Sequence, residues 1–235
     1  MRLTDRDEAM LEWLAVVRLA DMDTIRYALG GLSGSGEPVS LRKAQQWVLR
    51  LHEAGLLDRA RPSFNDGSVV WATHQWVGKA APNLFRQTTR HEVAVAAVSA
   101  RYLLHGYTWH RDRVPQTKVE NQVDGVAVKG DRVDLIEVEL TPKIGARYKG
   151  IFESHTWRLQ REGVTRIVYF CDPATERVVR READTRVFRG ERHRVVTLPV
   201  FDNRGRLVGD DRPLWWDEPG AASAPAEGNG EGTLL

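Results

Sequence analysis

The sequence predicts an α+β protein in which a small helical unit closed by a β-hairpin precedes an α/β sandwich. Three observations lead there. Capped helical patterns fill the N-terminal stretch, with apolar residues returning every three or four positions. They give way after Gly55 to two short β-rich runs, "LLDRA" and "VVWATH". Beyond residue 90, runs of Val, Ile and Leu with a period of two take turns with helical stretches.

Thr4 with Asp7 three residues on has the form of a capping box, and Met10, Leu11, Leu14, Val16 and Val17 follow at helical spacing, giving a first helix that ends near Leu19. Asp23 is placed to cap a second helix through Ile25, Tyr27 and Leu29, and "GGLSGSGEP" reads as the loop that stops it. Ser40 caps a third helix, in which Leu41, Ala44, Val48 and Leu51 form an inward ridge, and Gly55 follows where a helix end needs a left-handed residue. The hairpin turns near Asp66-Gly67. Three helices and a hairpin in this order make a winged helix-turn-helix, spanning residues 1–82. Pro82 to Thr89 is a connector, and "RHEVAVAAVSARYLL" is apolar on nearly all sides, hence a buried helix that opens a second domain at 90–216. Strands are expected near Tyr107–Arg111, Val123–Val128 and Val133–Leu140, then a helix from about Ile144 to Arg161, the strand "RIVYF", a helix or turn after Pro173, and a strand at "RVVTLPVF". The segment 217–235 is Gly, Ala, Pro and Glu, too polar to build a core, and is expected to be disordered.

With 235 residues and 42% hydrophobic composition the chain can bury a sizeable core. Lys and Arg total 34 against 32 Asp and Glu, so a net charge of +2 announces no nucleic-acid partner by itself, and local clustering has to carry that argument. Cys171 is the single cysteine, which excludes an internal disulfide, and it sits in "IVYFCD" as a small buried hydrophobe. The N-terminus lacks the apolar core of a signal peptide and no segment has the length of a membrane span, so the protein reads as cytoplasmic with no membrane partner. No Cys/His spacing suggests zinc, and His91 alone among the histidines adjoins an acid at a plausible site.

Clustering appears in the third helix. Between Pro38 and His52 there is no acid, and Arg42, Gln45, Gln46 and Leu49 fall on the face opposite the ridge, with Lys43 and Arg50 at its margins. Arg can bond the major-groove edge of guanine and Gln that of adenine, while Lys43 and Arg50 suit phosphates. Arg59 and Arg61, at the base of the wing, would flank the duplex. These seven residues are the candidate contacts to double-stranded DNA. The alternative is a solvated helix face on a protein-binding adaptor, and an outward Leu49 would suit a homodimer interface.

A second cluster is acidic. "VDGVAVKGDRVDLIEVEL" alternates and breaks at "KGDR", a hairpin whose turn pairs Lys129 with Arg132 and, counting outward, Val126 with Leu135, Asp124 with Glu137 and Gln122 with Glu139. On this count Asp124, Glu137 and Glu139 share a face with Val126, Val128, Val133 and Leu135, while Val123, Ala127, Ile136, Val138 and Leu140 line the other. Like charges placed opposite destabilise a ladder, so a counter-charge is required. A divalent cation held by carboxylate oxygens would supply it, and so would a salt bridge to Lys143, Arg147 or Lys118. Lys149, Arg158 and Arg161 add to a basic helix face beyond, either solvated or set against a second stretch of DNA backbone.

A helix bearing Glu, a strand with Asp, then "E-x-E", a helix and another strand resemble the PD-(D/E)XK nuclease superfamily. That resemblance implies Asp124 and Glu137 as ligands of Mg2+ or Mn2+, with Glu92 as the helix-borne acid. It makes the catalytic set Asp124, Glu137, Glu139 and Lys143. The sequence departs from the pattern in carrying Glu139 where Lys is usual, leaving Lys143 as the migrated lysine, and Val123 where Pro usually precedes the Asp. Over roughly Leu3 to Val200, "LHEAGLLDR", "RHEVAVA", "VDGVAV" and "IEVELTPKIGARYKGI" resemble the replication-relaxation family of mobile genetic elements. That family joins a winged helix to a nuclease-like domain, which implies DNA binding in replication or transfer of an element such as a plasmid. It leaves open whether the second domain is an active endonuclease or only structural.

Overall fold

In the computed structural model, which describes residues 2–63, 67–117 and 120–208, the first helix, α1 (Asp5–Val17), starts at the Thr4/Asp7 capping box. The Asp7 amide donates to Thr4 Oγ1 at 3.2 Å and the Thr4 amide to Asp7 Oδ2 at 3.0 Å, which satisfies two of the amides a helix start leaves open. The helix stops two residues before the expected end, because Arg18 takes a positive φ of 77° and turns the chain into an unanticipated short strand, β1 (Ala20–Asp21). Asp21, not Asp23, caps α2 (Met22–Leu32), accepting the Thr24 amide at 2.8 Å, while Asp23 pairs with Arg26 and Arg101. Gly30 and Gly31 belong to α2 rather than to a loop. A Cβ on Gly31 would lie 2.5 Å from the backbone carbon of Leu103, and one on Gly30 2.1 Å from the carbonyl oxygen of Glu37. Glycine stands there because neighbouring backbone passes too close for any side chain.

Ser40 caps α3 (Leu41–Glu53) and Gly55, with φ +73°, releases the chain, both as the sequence leads one to expect. β2 (Leu57–Ala60) and β3 (Val69–Ala72) then pair antiparallel, and β1 adds to β3, giving a three-stranded sheet of order β1-β3-β2. The turn expected at Asp66-Gly67 falls partly outside the described residues. A one-turn helix, α4 (His74–Val77), precedes the connector.

α5 (Thr88–Leu104) is buried over an unbroken run from Val93 to Leu103. One side packs on α1 and α2: Trp13 donates to Ser99 Oγ at 2.8 Å, and Arg101 lies 4.0 Å over the Tyr27 ring. The other side covers the second sheet. The largest hydrophobic core therefore runs from Met10 through Ala100 to Phe201, so the units expected at 1–82 and 90–216 are distinct in chain order but continuous in packing.

The second sheet holds β4 (Thr108–His110), β5 (Gly125–Lys129), β6 (Arg132–Glu139), β7 (Arg166–Cys171) and β8 (Val195–Pro199) in that spatial order. β4, β5 and β6 pair antiparallel; β7 and β8 run parallel to β6 after crossovers through α6 (Gly145–Arg161) and α7 (Pro173–Arg186). A 3-10 turn at Arg189–Arg194 before β8 was not expected. Ile136, Val138, Val168 and Phe170 face α5, whereas Leu135, Ile167 and Tyr169 face α6 and α7. The register is the expected one, Lys129 with Arg132 and Val126 with Leu135, but the ladder closes at Gly125 with Ile136. Asp124 and Gln122 thus lie beyond the last ladder pair. For the same reason Val123 leaves the alternation and packs with Leu135, not on the Ile136 face. Cys171 is fully buried, and burial pushes its thiol up, out of reach of thiolate chemistry. The segment 217–235 lies outside the described residues. The chain is α+β, as predicted, and no helix among the described residues is long and apolar enough to cross a membrane.

Two glycine substitutions test this packing. Gly31→Ala should destabilise by about 3 kcal/mol in denaturant melts, since it must push α2 off α5. Gly150→Ala, in exposed α6 where a Cβ meets nothing within 4 Å, should stabilise by about 0.5 to 1 kcal/mol.

Candidate functional site

Two places gather the residues that the sequence singles out. On α3, Ala44, Trp47, Val48 and Leu51 are buried, while Arg42, Lys43, Gln45, Gln46 and Leu49 are exposed. Trp47 takes the inward position expected of Leu41, which is 49% exposed. Arg59 and Arg61 are exposed on and just after β2. Arg50 departs from the expected phosphate role. Its guanidinium meets Asp7 Oδ1 at 2.5 Å, and the Trp47 indole N–H donates to the same oxygen at 2.8 Å. Burial alone would raise the Asp7 carboxyl, but the bonds from Arg50, Thr4 and Trp47 outweigh it and hold the group well below the usual carboxylate range. These two bonds tie α3 to the first turn of α1.

The acids lie at the carboxyl end of β6, in a cleft of about 830 Å3 whose lining includes Asp124, Glu137, Glu139, Lys143, His91 and three arginines, Arg86, Arg90 and Arg147. Asp124 is fixed by its backbone, which donates to Ile136 O at 2.9 Å, and by its Oδ2, which accepts the Val138 amide at 2.8 Å. His91 Nε2, from α5, lies 3.2 Å from that same oxygen and 3.0 Å from Val138 O. Both neighbours are acceptors, so Nε2 carries the proton. Burial works to lower the His91 pKa, yet the hydrogen bond and charge of Asp124 prevail and raise it. The side chain in hydrogen-bond contact with Asp124 is therefore a histidine, while Lys143 acts on Asp124 through charge alone; Lys118 lies outside the described residues.

Glu137 accepts from Asn121 Nδ2 at 2.8 Å through Oε1, which also stands 3.4 Å from Nε2 of fully buried His155. His155 Nδ1 in turn meets the Tyr169 hydroxyl at 3.1 Å, and burial pushes that phenol far above its ordinary range. Glu139 pairs with Lys143 one helical turn's length away in sequence. Burial lowers the Lys143 pKa more than Glu137 and Asp124 raise it, so the amine gives up its proton more readily than a solvated lysine. Arg158, expected on a basic surface, is buried and grips Asp112 with two bonds of 2.7 and 2.9 Å, while Asp112 Oδ2 accepts the Val123 amide. That clamp holds the segment carrying Asn121 and Asp124. Asp112, Asn121 and His155 carried no signal in the sequence, and Arg158 carried the wrong one, because each acts across a separation that no local pattern marks.

Glu92, implied as a third metal ligand, does not line this cleft. It faces an adjoining one of about 280 Å3 and pairs with Arg18 at 3.2 Å. Among the described residues no three His, Cys, Asp or Glu side chains come together as a metal cage. Asp124 and Glu137 each spend one oxygen on the bonds above, and among the described residues no bond is made to Asp124 Oδ1 or Glu137 Oε2. Two hard carboxylate oxygens opening on a wide cleft suit Mg2+ or Mn2+, which binds through one or two carboxylates and completes its shell with water and phosphate. Comparison with protein-family models, curated proteins and solved structures gives no match to this chain.

The Asp7 anchor has a sign-definite pH signature. Its depressed folded-state pKa means that the stabilisation is present above the unfolded value and lost as pH falls through the folded one. Asp7→Asn should cost about 2 kcal/mol at neutral pH, and the gap to the natural protein should narrow steadily below about pH 4. A gap that stayed constant in acid would show that the charge of Asp7 contributes nothing.

Proposed function

We propose that this protein binds double-stranded DNA through the exposed face of α3, as a winged helix-turn-helix protein of a mobile genetic element acting in its replication, transfer or control. One observation carries the reading. The helix after α2 is free of acids from Leu41 to His52 and turns Arg42, Lys43, Gln45 and Gln46 outward while burying every other-face residue from Ala44 to Leu51. A helix presenting Arg and Gln together offers bidentate partners for guanine and adenine, and Arg59 on β2 and Arg61 just after it would add charge for the backbone. Affinity for duplex should fall steeply with salt as these cations release counterions. Arg42→Ala or Gln46→Ala should relax base preference by about 1 to 3 kcal/mol at one position, whereas Lys43→Ala should weaken all sequences alike and lower the salt slope by about one. Filter or anisotropy titrations over a salt series check both, and a flat salt response would overturn the reading in favour of a protein-binding adaptor.

A second reading, a metal-dependent DNA endonuclease, is favoured by the convergence of Asp124, Glu137, Glu139 and Lys143 on one cleft. In it Asp124 and Glu137 hold Mg2+ or Mn2+, which when bound neutralises charge at the scissile phosphate and lowers the pKa of water. Lys143, paired with Glu139 and with its pKa lowered by burial, would be the group to take a proton from the attacking water. His91 and Asn121 fix the two carboxylates, and Arg86, Arg90 and Arg147 stand where a phosphate backbone would enter. On this reading Mn2+ raises the melting temperature of the natural protein and supports nicking of supercoiled plasmid, and the double variant Asp124→Asn, Glu137→Gln loses both. Neither effect in the natural protein would leave the cleft without catalysis and the duplex-binding reading intact.

A further inference from the structure

Among the described tryptophans Trp157 alone is exposed, at 51%, on the outer face of α6. It borders a groove of about 580 Å3 that Ile151 and Ser154 floor and Asn121 walls. Gly150, two turns before Trp157, leaves the groove open, since a Cβ there would meet nothing within 4 Å. Arg147 and Asn121 line both this groove and the acidic cleft, so the two spaces adjoin. Lys149 and Arg161 are exposed on the same helix, with Glu153 the one acid exposed there, and the groove's other acid, Glu120, is paired with Arg113 at 2.7 Å. An indole half open to water, cations on either side, and a passage to a cleft that carries carboxylates and arginines describe a place for a flat ring attached to a polyanion.

We propose that this groove takes an unpaired nucleobase of a DNA strand whose backbone continues into the acidic cleft, with Trp157 as the stacking face and Arg147 on the adjoining phosphate. Every base offers a π-face, so stacking on an indole is tolerant of sequence and strong for a single contact. The passage from groove to cleft crosses Asn121, which also holds Glu137, and a strand seated on Trp157 would therefore be delivered to the two carboxylates. This rests on the DNA-binding reading and names its substrate more closely: duplex with an unpaired stretch, read as duplex by α3 and as single strand by α6.

The test uses the full chain and three labelled probes in anisotropy titrations: a short oligothymidylate, a blunt duplex, and a duplex with a single-stranded overhang. The oligothymidylate and the overhang should bind, and Trp157→Ala should weaken both about tenfold while leaving the blunt duplex unchanged. Trp157→Phe, which keeps an aromatic face, should retain most of the binding. Arg42→Ala should do the reverse, weakening the duplex and sparing the oligothymidylate. Equal oligothymidylate affinity of Trp157→Ala and the natural protein, or no oligothymidylate binding at all, overturns the proposal and leaves the groove to a protein partner. Loss of duplex binding with Trp157-dependent single-strand binding intact would overturn the α3 reading alone.

Discussion

The close approach of α2 to α5 at Gly31, with Gly30 beside it making room for the Glu37 carbonyl, is the constraint on which the rest of the structure depends. With no side chain between them the two helices pack backbone to backbone, and α5 becomes the shared wall of both halves of the molecule. Its 17 residues make a rod about 25 Å long. Along that rod Ser99 receives Trp13 of α1, Arg101 reaches Asp23 of α2, and His91 holds Asp124 at the mouth of the second sheet. A single rigid element thus carries both the small helical unit and one side of the acidic cleft. Relative motion of the two would expose a core that runs through them unbroken, which opposes a change in the spacing of α3 and the cleft.

Within that frame the three clustered acids are tolerated by three different devices. Asp124 accepts a backbone amide and a protonated imidazole nitrogen; Glu137 accepts a carboxamide and lies beside a buried histidine; Glu139 meets a lysine. Buried carboxylates need partners of this kind, because leaving one uncompensated costs several kcal/mol. The like-charge conflict implied by the strand register is therefore met locally, before any ion arrives. The ladder closes at Gly125, a glycine because the Trp109 ring occupies the space a Cβ would need, at 2.0 Å. The strand ends, Asp124 turns off the sheet, and its carboxylate can reach the Val138 amide instead of standing squarely against Glu137.

What the sequence made legible was local. Caps at Thr4 and Ser40, the left-handed Gly55, the alternation of "VDGVAVKGDRVDLIEVEL" and the all-apolar helix after residue 90 each rest on contacts within a few residues, and each is found. The acid-free face of α3 and the meeting of Asp124 with Glu137 and Glu139 follow from the same kind of counting. What failed was tertiary. Arg50 looked like a phosphate ligand because nothing within α3 reveals that Asp7, 43 residues earlier, waits for it, and Arg158 looked solvated because Asp112 lies 46 residues away. Gly30 and Gly31 read as a loop because composition cannot tell a glycine that bends a chain from one that makes room for another. Glu92 has the position in sequence of a metal ligand, but one residue along a helix is a turn of about 100° in direction, and it is His91 that lines the acidic cleft.

The electrostatics of the cleft bear on how the two functional readings relate. The near-neutral chain hides a local segregation: α3 exposes cations and amides with no acid, whereas the cleft sets Asp124, Glu137 and Glu139 against Arg86, Arg90, Lys143 and Arg147. Arg86, Arg90 and Arg147 match the three carboxylates in number, and Lys143 adds a cation that burial weakens, so a phosphate backbone entering the cleft would meet no net repulsion even with no ion bound. A divalent cation on Asp124 Oδ1 and Glu137 Oε2 would turn a tolerant surface into a strongly attractive one at the point where charge develops in phosphoryl transfer. The two proposed readings thus ask the same residues of the cleft and differ in whether Asp124 Oδ1 and Glu137 Oε2 would hold an ion.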